Sequence, residues 1–349
     1  MDSYHGLDVS ALLRGRKAVR VSAHDLVTSA PFGPDAGLPV VIWPAAGPMD
    51  LEAWCAGNRA VIDSHLRSRG AVLFRGFAVL RIEQFEAVVR AIGSDLLEYA
   101  YRSTPRTRVG GNIYTSTEYP ASQSIPLHNE NSYSRTWPLK IGFFCVKPSE
   151  HGGETPIADS RKVLAAIDDA VRWRFIEKGV MYVRNYGAGV DLSWQTTFQT
   201  DDRGEVERYC DRAGIEYQWR DGGRLQTRQV CPAVREHPET GETVWFNQAH
   251  LFHMSSLEPE IREHLLGEMR EEDLPRNACY GDGSPIEASA LQAIRAAYNA
   301  HTVRYSWQAG DVLMLDNMLC AHGRAPFQGT RQVVVGMAQP YTDTPASHA

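Results

Sequence analysis

Toward its C-terminal end the chain carries two short apolar runs, Val312-Leu313-Met314-Leu315 and Val333-Val334-Val335, with a polar stretch containing His322 between them. Apolar runs of this length, bounded by turn residues, fit strands buried on both faces and are too short for core helices. Ala71-Val72-Leu73-Phe74 and Ile141-Gly142-Phe143-Phe144-Cys145-Val146 repeat the pattern. Segments of helical period fall between them: one to about residue 69, capped by Asp50 and stopped by Gly70, one over 82–92, and one over 160–178. Shorter helices are expected near 203–213, 258–270 and 288–300, and further strands near 180–186, 225–234, 243–246 and 303–307. Many strands with inserted helices favour a mainly β fold, a double-sheet jelly roll, over a parallel βαβ sheet.

With 349 residues, 43% of them hydrophobic, the chain has material for one large core, and no repeat or linker divides it. A single domain over 1–349 is expected. Its first 48 residues, rich in Pro and Gly, form an irregular lead-in with one short strand near 40–43. The net charge is -6, and the densest basic cluster is only Arg14-Gly15-Arg16-Lys17, which argues against nucleic-acid binding. No apolar run reaches membrane-spanning length, and the N-terminus lacks a basic-then-apolar signal pattern. The six scattered cysteines read as reduced, mostly buried thiols rather than a disulfide framework, and a cytoplasmic location is expected.

The chemistry centres on Leu127-His128-Asn129-Glu130. On a strand, His-x-Glu puts imidazole and carboxylate on the same side, one pleat apart. A third ligand from His322 would complete a two-histidine, one-carboxylate facial set, the arrangement of non-haem Fe(II) oxygenases. The co-substrate usual at such centres, 2-oxoglutarate, chelates iron and leaves a second carboxylate to be held. Arg331 offers a bidentate charge-assisted partner for it, and the Thr155 hydroxyl one more hydrogen bond. Taken singly, each of these residues has an ordinary structural explanation; their combination is what points to a site. His250-Leu251-Phe252-His253 lacks the His-Glu-x-x-His metalloprotease pattern, so packing or support of the site suits these histidines better. Neither a phosphate-binding loop, a dinucleotide glycine fingerprint nor a nucleophile elbow is present.

Five separated motifs carry a family resemblance: Tyr114-Thr115-Ser116-Thr117-Glu118-Tyr119-Pro120, Ile125-Pro126-Leu127-His128-Asn129-Glu130, Gly152-Gly153-Glu154-Thr155-Pro156, Val244-Trp245-Phe246-Asn247-Gln248, and the stretch 316–331. Over most of the chain after about Gly70 it resembles the taurine dioxygenase-like Fe(II)/2-oxoglutarate oxygenases, in the branch similar to clavaminate synthase and the syringomycin-biosynthesis hydroxylase. The resemblance implies a double-stranded β-helix, His128, Glu130 and His322 as catalytic iron ligands, Thr155 on 2-oxoglutarate, and O2 as the second substrate. Many members carry the co-substrate arginine where this chain has Val335-Gly336-Met337, so Arg331 and Arg324 compete for that role. Tyr114, Trp245 and Asn247 are candidates for the substrate pocket, and residues 102–118 for setting specificity.

Glu130 favours hydroxylation over halogenation, because related halogenases have a small residue where the carboxylate would be. Desaturation, cyclisation and oxidative decarboxylation share the same cofactor chemistry and stay open. An amino acid or derivative, free or tethered to a carrier protein, is the substrate class the resemblance implies. The rival from another class is a non-catalytic jelly-roll binding module.

Overall fold

The computed structural model describes residues 26–33, 37–98, 101, 106–117, 119–187 and 191–343. Eight strands form the main sheet, in the order Val27–Pro31, Val40–Pro44, Ala71–Phe74, Val312–Asp316, Thr136–Lys147, Gln332–Thr342, Ile113–Thr115 and Arg108–Gly110. Neighbours are antiparallel except Val40–Pro44 and Ala71–Phe74, which run parallel. Its central strands are the apolar runs of the sequence, and both of their faces are covered. Leu313, Leu315, Phe143, Val333 and Val335 face one cluster, while Val312, Met314, Phe144 and Val334 face another. Burial on both sides is why these strands read as unbroken apolar runs rather than as alternation.

Two helices cover the outer face. Leu51–Arg69 starts where the Asp50 carboxylate accepts from the Ala53 N–H, and it stops at Gly70, whose φ of 77° is the left-handed conformation glycine adopts at little cost. Ile82–Gly93 buries Phe85, Val88, Val89 and Ile92 against the sheet. The inner face meets a four-stranded sheet in the order Thr302–Val303, Ile157–Asp159, Cys320–Arg324 and Ile125–His128. Ile157 and Cys320 of this smaller sheet join Phe143, Leu313 and Val335 of the main one in a shared core. A third sheet, Glu216–Arg220, Arg224–Cys231, Val180–Tyr186 and Arg276–Tyr280, packs with the helices Arg203–Ala213 and Ala288–Ala300 around an aromatic core of its own. The fold is thus mainly β with several helices. All six cysteines are free, and five of them are buried.

Several expectations from the sequence need correction. The described part of the lead-in supplies two strands at the edge of the main sheet, with Pro31 and Pro44 at strand ends, where proline is tolerated. Arg108–Gly110 and Ile113–Thr115, where the sequence suggests no strand, form the opposite edge. The helix expected over 160–178 is two, Ser160–Ala166 and Asp169–Lys178. Ile167 has extended backbone angles, and Asp168 caps a fresh start through the Ala170 N–H. Asp159 caps the first of them through the Arg161 N–H. The strand expected over 303–307 reduces to Thr302–Val303. The basic cluster at 14–17 lies outside the described residues.

Candidate active site

The smaller sheet brings the two histidines together. His128 ends its strand and is the register partner of His322 on the neighbouring antiparallel strand, with ring centroids 4.6 Å apart. Glu130 completes the cluster: one ligand-type atom from each of the three residues lies within 4.8 Å of the others, and His322 Nε2 is 3.8 Å from Glu130 Oε2. Alternation along one strand does not deliver this arrangement, because the strand ends at His128 and Glu130 sits in the turn that follows.

That turn is held from across the fold. The Asn317 side chain accepts from the Glu130 N–H at 2.7 Å and donates to the Glu130 carbonyl at 2.9 Å, so one amide pins both backbone groups of the residue. Gln248 donates to the Asn129 carbonyl, and His250 Nε2 lies 2.9 Å from the Leu127 carbonyl. Asp316 anchors Asn317 in turn: one carboxylate oxygen accepts from the Met318 and Leu319 N–H groups, and the other lies 2.9 Å from His237 Nε2. His237 Nδ1 accepts from the Glu239 and Thr240 N–H groups, so its Nε2 carries the proton donated to Asp316. Sequence reasoning missed Asn317, Gln248 and Asp316 as supports of the site; the polar Asp316-Asn317 pair at the end of an apolar strand was the available signal.

Burial keeps both site histidines neutral. It lowers the pKa of His128, against the opposing pull of Glu130, and it lowers that of His322 further, with His128 and Arg106 adding to the effect. His128 Nδ1 lies 2.8 Å from the Pro126 carbonyl. A neutral ring donates there and keeps its Nε2 lone pair for a metal. Two neutral imidazoles and a carboxylate are a donor set that suits Fe(II). Arg106 donates to Glu130 Oε2 at 2.8 Å, and both side chains are almost fully buried.

The cavity beside this cluster is lined by His128 and His322 together with Thr155, Arg331, Arg324, Arg106, Ser116, Thr117, Ile125, Phe143, Gly323 and Val335. Thr155 Oγ1 accepts from Trp307 Nε1 at 3.1 Å, which aims its own proton elsewhere. Arg331 donates through Nε to the Gly153 carbonyl and through Nη1 toward Ser116 Oγ. Gly153 has a φ of 74°, and a Cβ there would collide with Ser149 Oγ and lie 3.0 Å from Arg331 Cδ, so this glycine leaves room for the arginine. Burial and the neighbouring Arg324 push the Arg331 pKa down to about 10, which still leaves it charged at neutral pH. Arg324 is committed differently: it donates to the carbonyls of Tyr119, Pro120 and Gln123 and so fastens the cavity wall. Val335, the first residue of the stretch Val335-Gly336-Met337 where many members carry the arginine, lines the cavity wall, and Arg331 reaches the same cavity from just before that strand.

The three substrate candidates lie elsewhere among the described residues. Trp245 is fully buried, edge to face with Phe175 at 5.2 Å, and Asn247 is spent on the Ala233 carbonyl and the Ala249 N–H. Tyr114 belongs to the core between the two sheets. Of the specificity segment 102–118, residues 102–105 and 118 lie outside the described residues, while Arg106, Ser116 and Thr117 line the cavity.

Facing sheets with a paired-histidine and carboxylate centre, opening on a cavity that holds an arginine and a threonine, define a class: the Fe(II)/2-oxoglutarate-dependent oxygenases. Residues 29–338 match the family described as taurine catabolism dioxygenase TauD, TfdA family, and the chain belongs to it. It is 43% identical over 279 residues to the dapdiamide synthesis protein DdaC of Enterobacter agglomerans, covering 80% of this chain and 85% of that protein. Identity to a clavaminate synthase-like protein of Arabidopsis thaliana is 33% over 288 residues, 80% of this chain and 84% of the other. Among solved structures, PvcB of Pseudomonas aeruginosa superposes with a TM-score of 0.54 at 15% identity, covering 93% and 94% of the two chains. AAD-2, solved with Mn(II) and N-oxalylglycine, gives 0.52 at 14% identity over 89% and 96%. The chain is accordingly an enzyme that uses Fe(II) and 2-oxoglutarate.

Proposed function

We propose that this enzyme hydroxylates an unactivated carbon of an amino acid or amino-acid derivative, with Fe(II) held by His128, Glu130 and His322. The observation that carries the reading is the convergence of these three residues on one cavity wall with Thr155 and Arg331 beside them. When bound, iron, 2-oxoglutarate and O2 supply oxidising power: the co-substrate is decarboxylated to succinate and CO2, and one oxygen atom goes to the substrate carbon. The rest is positioning. Arg331 would pair with the distal carboxylate of 2-oxoglutarate and Thr155 would donate to it, while Phe143, Ile125 and Val335 contribute apolar surface to the same cavity. The lack of an arginine in Val335-Gly336-Met337, where many family members carry one, and the engagement of Arg324 with three carbonyls both support Arg331 as the co-substrate residue.

Retention of the Glu130 carboxylate supports hydroxylation over halogenation. The two relatives, one named for dapdiamide synthesis and the other for its likeness to clavaminate synthase, support a small-molecule substrate in specialised metabolism. The two facing sheets are the double-stranded β-helix of this reading, in a single oxygenase domain.

Anaerobic titration of the metal-free protein with Fe(II) and 2-oxoglutarate tests it, read by the visible charge-transfer band of the chelate. The band is expected in wild type, absent in His322→Ala, and reached only at 10-fold or more higher 2-oxoglutarate in Arg331→Ala, a loss of about 1.5–3 kcal/mol for a charge-assisted pair. A folded wild-type protein without the band overturns the assignment and leaves a non-catalytic binding module in its place.

A further inference from the structure

Thr155 is left with a hydroxyl hydrogen and few directions in which to point it. Its oxygen accepts from the Trp307 indole N–H, and both side chains are buried. An indole N–H donates and never accepts, so this contact has only one polarity. It occupies a lone pair of the hydroxyl oxygen and turns the hydroxyl hydrogen away from the tryptophan. No other hydrogen bond of the Thr155 side chain occurs among the described residues, and Thr155 lines the cavity. Trp307 is not one of the lining residues, so its influence on the cavity passes through the threonine.

The indole itself is firmly held. Tyr305 packs edge to face against it, with ring centroids 5.2 Å apart. The ion pair of Arg75 and Asp311 brackets its backbone: Arg75 donates to the Ser306 carbonyl at 2.9 Å, and Asp311 accepts from the Gln308 N–H at 2.8 Å. Gly153, two residues before Thr155, accepts from Arg331 Nε at 2.9 Å, so one short segment carries the threonine and supports the arginine. Two donors thus line one cavity: a guanidinium, which cannot accept, and a hydroxyl that Trp307 keeps from accepting. A carboxylate satisfies both, because each of its oxygens is an acceptor. A carboxamide of the same shape must turn its NH2 toward one of them, and a donor set against a donor is left unpaired at a cost.

We propose that Trp307 is a positioning residue for the co-substrate site: it fixes Thr155 as an obligate donor, and so makes the site select a carboxylate over a carboxamide at the distal end of a 2-oxo acid. The pair told apart is the 2-oxo acid of glutamate and that of glutamine. This rests on the functional reading above, which puts Thr155 and Arg331 on 2-oxoglutarate. The charge of Arg331 also favours the acid, but the share due to Trp307 is separable. A threonine released from the indole can rotate about its C–O bond and accept from an amide NH2, which removes the mispairing and leaves the charge preference in place.

The test uses the full chain loaded with Mn(II) and reads binding by calorimetry, so that no turnover is needed. The probes are N-oxalylglycine, in which an N–H replaces one methylene of 2-oxoglutarate, and N-oxalylglycinamide, which carries a carboxamide at the distal end. Wild type is expected to bind the acid about 100-fold more tightly than the amide, from a lost charge-assisted contact and a mispaired donor together. In Trp307→Phe that ratio is expected to shrink by about 10-fold. In a Thr155→Val background the same tryptophan substitution is expected to leave the ratio unchanged, since its effect runs through the hydroxyl. Equal weakening of acid and amide in Trp307→Phe overturns the proposal, because a tryptophan that only fills the core would act that way. A ratio that still shrinks in the Thr155→Val background overturns it too, as does a wild type that binds the two probes alike. If Trp307→Phe does not fold, replacement of Trp307 by benzothienylalanine, which has the same shape with sulfur in place of the indole N–H, decides by the same ratio. A folded wild type that binds neither probe overturns the functional reading itself; binding of the acid with no change of ratio in the variants overturns this proposal alone.

Discussion

At the scale of single residues, Asn317 shows how Glu130, the proposed carboxylate ligand, depends on a side chain outside the His128, Glu130 and His322 cluster. Its amide holds both the N–H and the carbonyl of Glu130 and also donates to the Pro138 carbonyl. All of these groups are buried, so removing the amide leaves donors and acceptors unpaired and frees the turn to rotate. Asn317→Ala is expected to weaken Fe(II) or Mn(II) binding by about 10- to 100-fold, the usual effect of losing a support behind a metal ligand. Asn317→Asp retains an acceptor for the Glu130 N–H but places a carboxylate against two carbonyls, so it should not rescue. Metal titration of both variants, each first shown to be folded by circular dichroism, decides the point. Unchanged affinity in Asn317→Ala would mean that Glu130 is held by other contacts.

At the scale of elements, the helix Ile82–Gly93 lies unusually close to the main sheet along a seam of glycines. A Cβ at Gly93 would come within 2.5 Å of Ala338 Cβ, and one at Gly142 within 3.1 Å of Val89 Cγ2. Two effects compete in Gly93→Ala. Alanine is the better helix former by about 1 kcal/mol, but overpacking of a filled core costs about 1–3 kcal/mol. Packing wins, because the obstructing atom is a Cβ on a central strand that cannot turn aside. A net loss of roughly 1 kcal/mol is expected in urea unfolding, and Ala338→Gly in the same chain should recover most of it.

The same seam shows what the sequence revealed and what it concealed. Helical period placed this helix, and apolar runs placed the central strands, because both signals come from burial along one element. The His128, Glu130 and His322 cluster was legible for a related reason: it consists of distinctive residue types. Its mechanics were not, since Glu130 is set by a turn and by Asn317 from far along the chain, and no local pattern encodes a contact across the fold. Trp245 and Asn247 drew attention as a motif but are used inside the core. Arg106 carried no signal of its own, for an isolated arginine in a polar segment looks like any solvated one. The break at Ile167 was hidden because Asp168 is as ordinary within a helix as it is effective as a cap.

At the scale of the whole molecule, stability is tied to pH through the buried His250. It stacks beside Tyr298 at 4.7 Å, and burial pushes its pKa down to about 4 from the usual 6.5, so it is neutral in the folded chain. The unfolded chain takes up this proton first as pH falls. The stabilisation is therefore complete above about pH 6.5 and shrinks steadily toward pH 4, by about 2 kcal/mol at pH 5 from this one group. Urea unfolding of wild type at pH 7.5 and pH 5 should show that loss, while His250→Phe, less stable at pH 7.5, should show about 2 kcal/mol less dependence on pH. An equal pH dependence in the two proteins would assign the acid sensitivity elsewhere.

The pairing of His128 with His322 sets a timetable for the enzyme. More than half the chain separates the two histidines, and Val312–Asp316, which lies between Ala71–Phe74 and Thr136–Lys147 in the main sheet, also arrives late. A ribosome therefore releases most of this polypeptide before either the central sheet can close up or a second imidazole can reach the first. Nascent and truncated chains lack one half of the proposed iron-binding centre, so on that reading oxygen activation waits until the barrier of long-range strand pairing has been crossed.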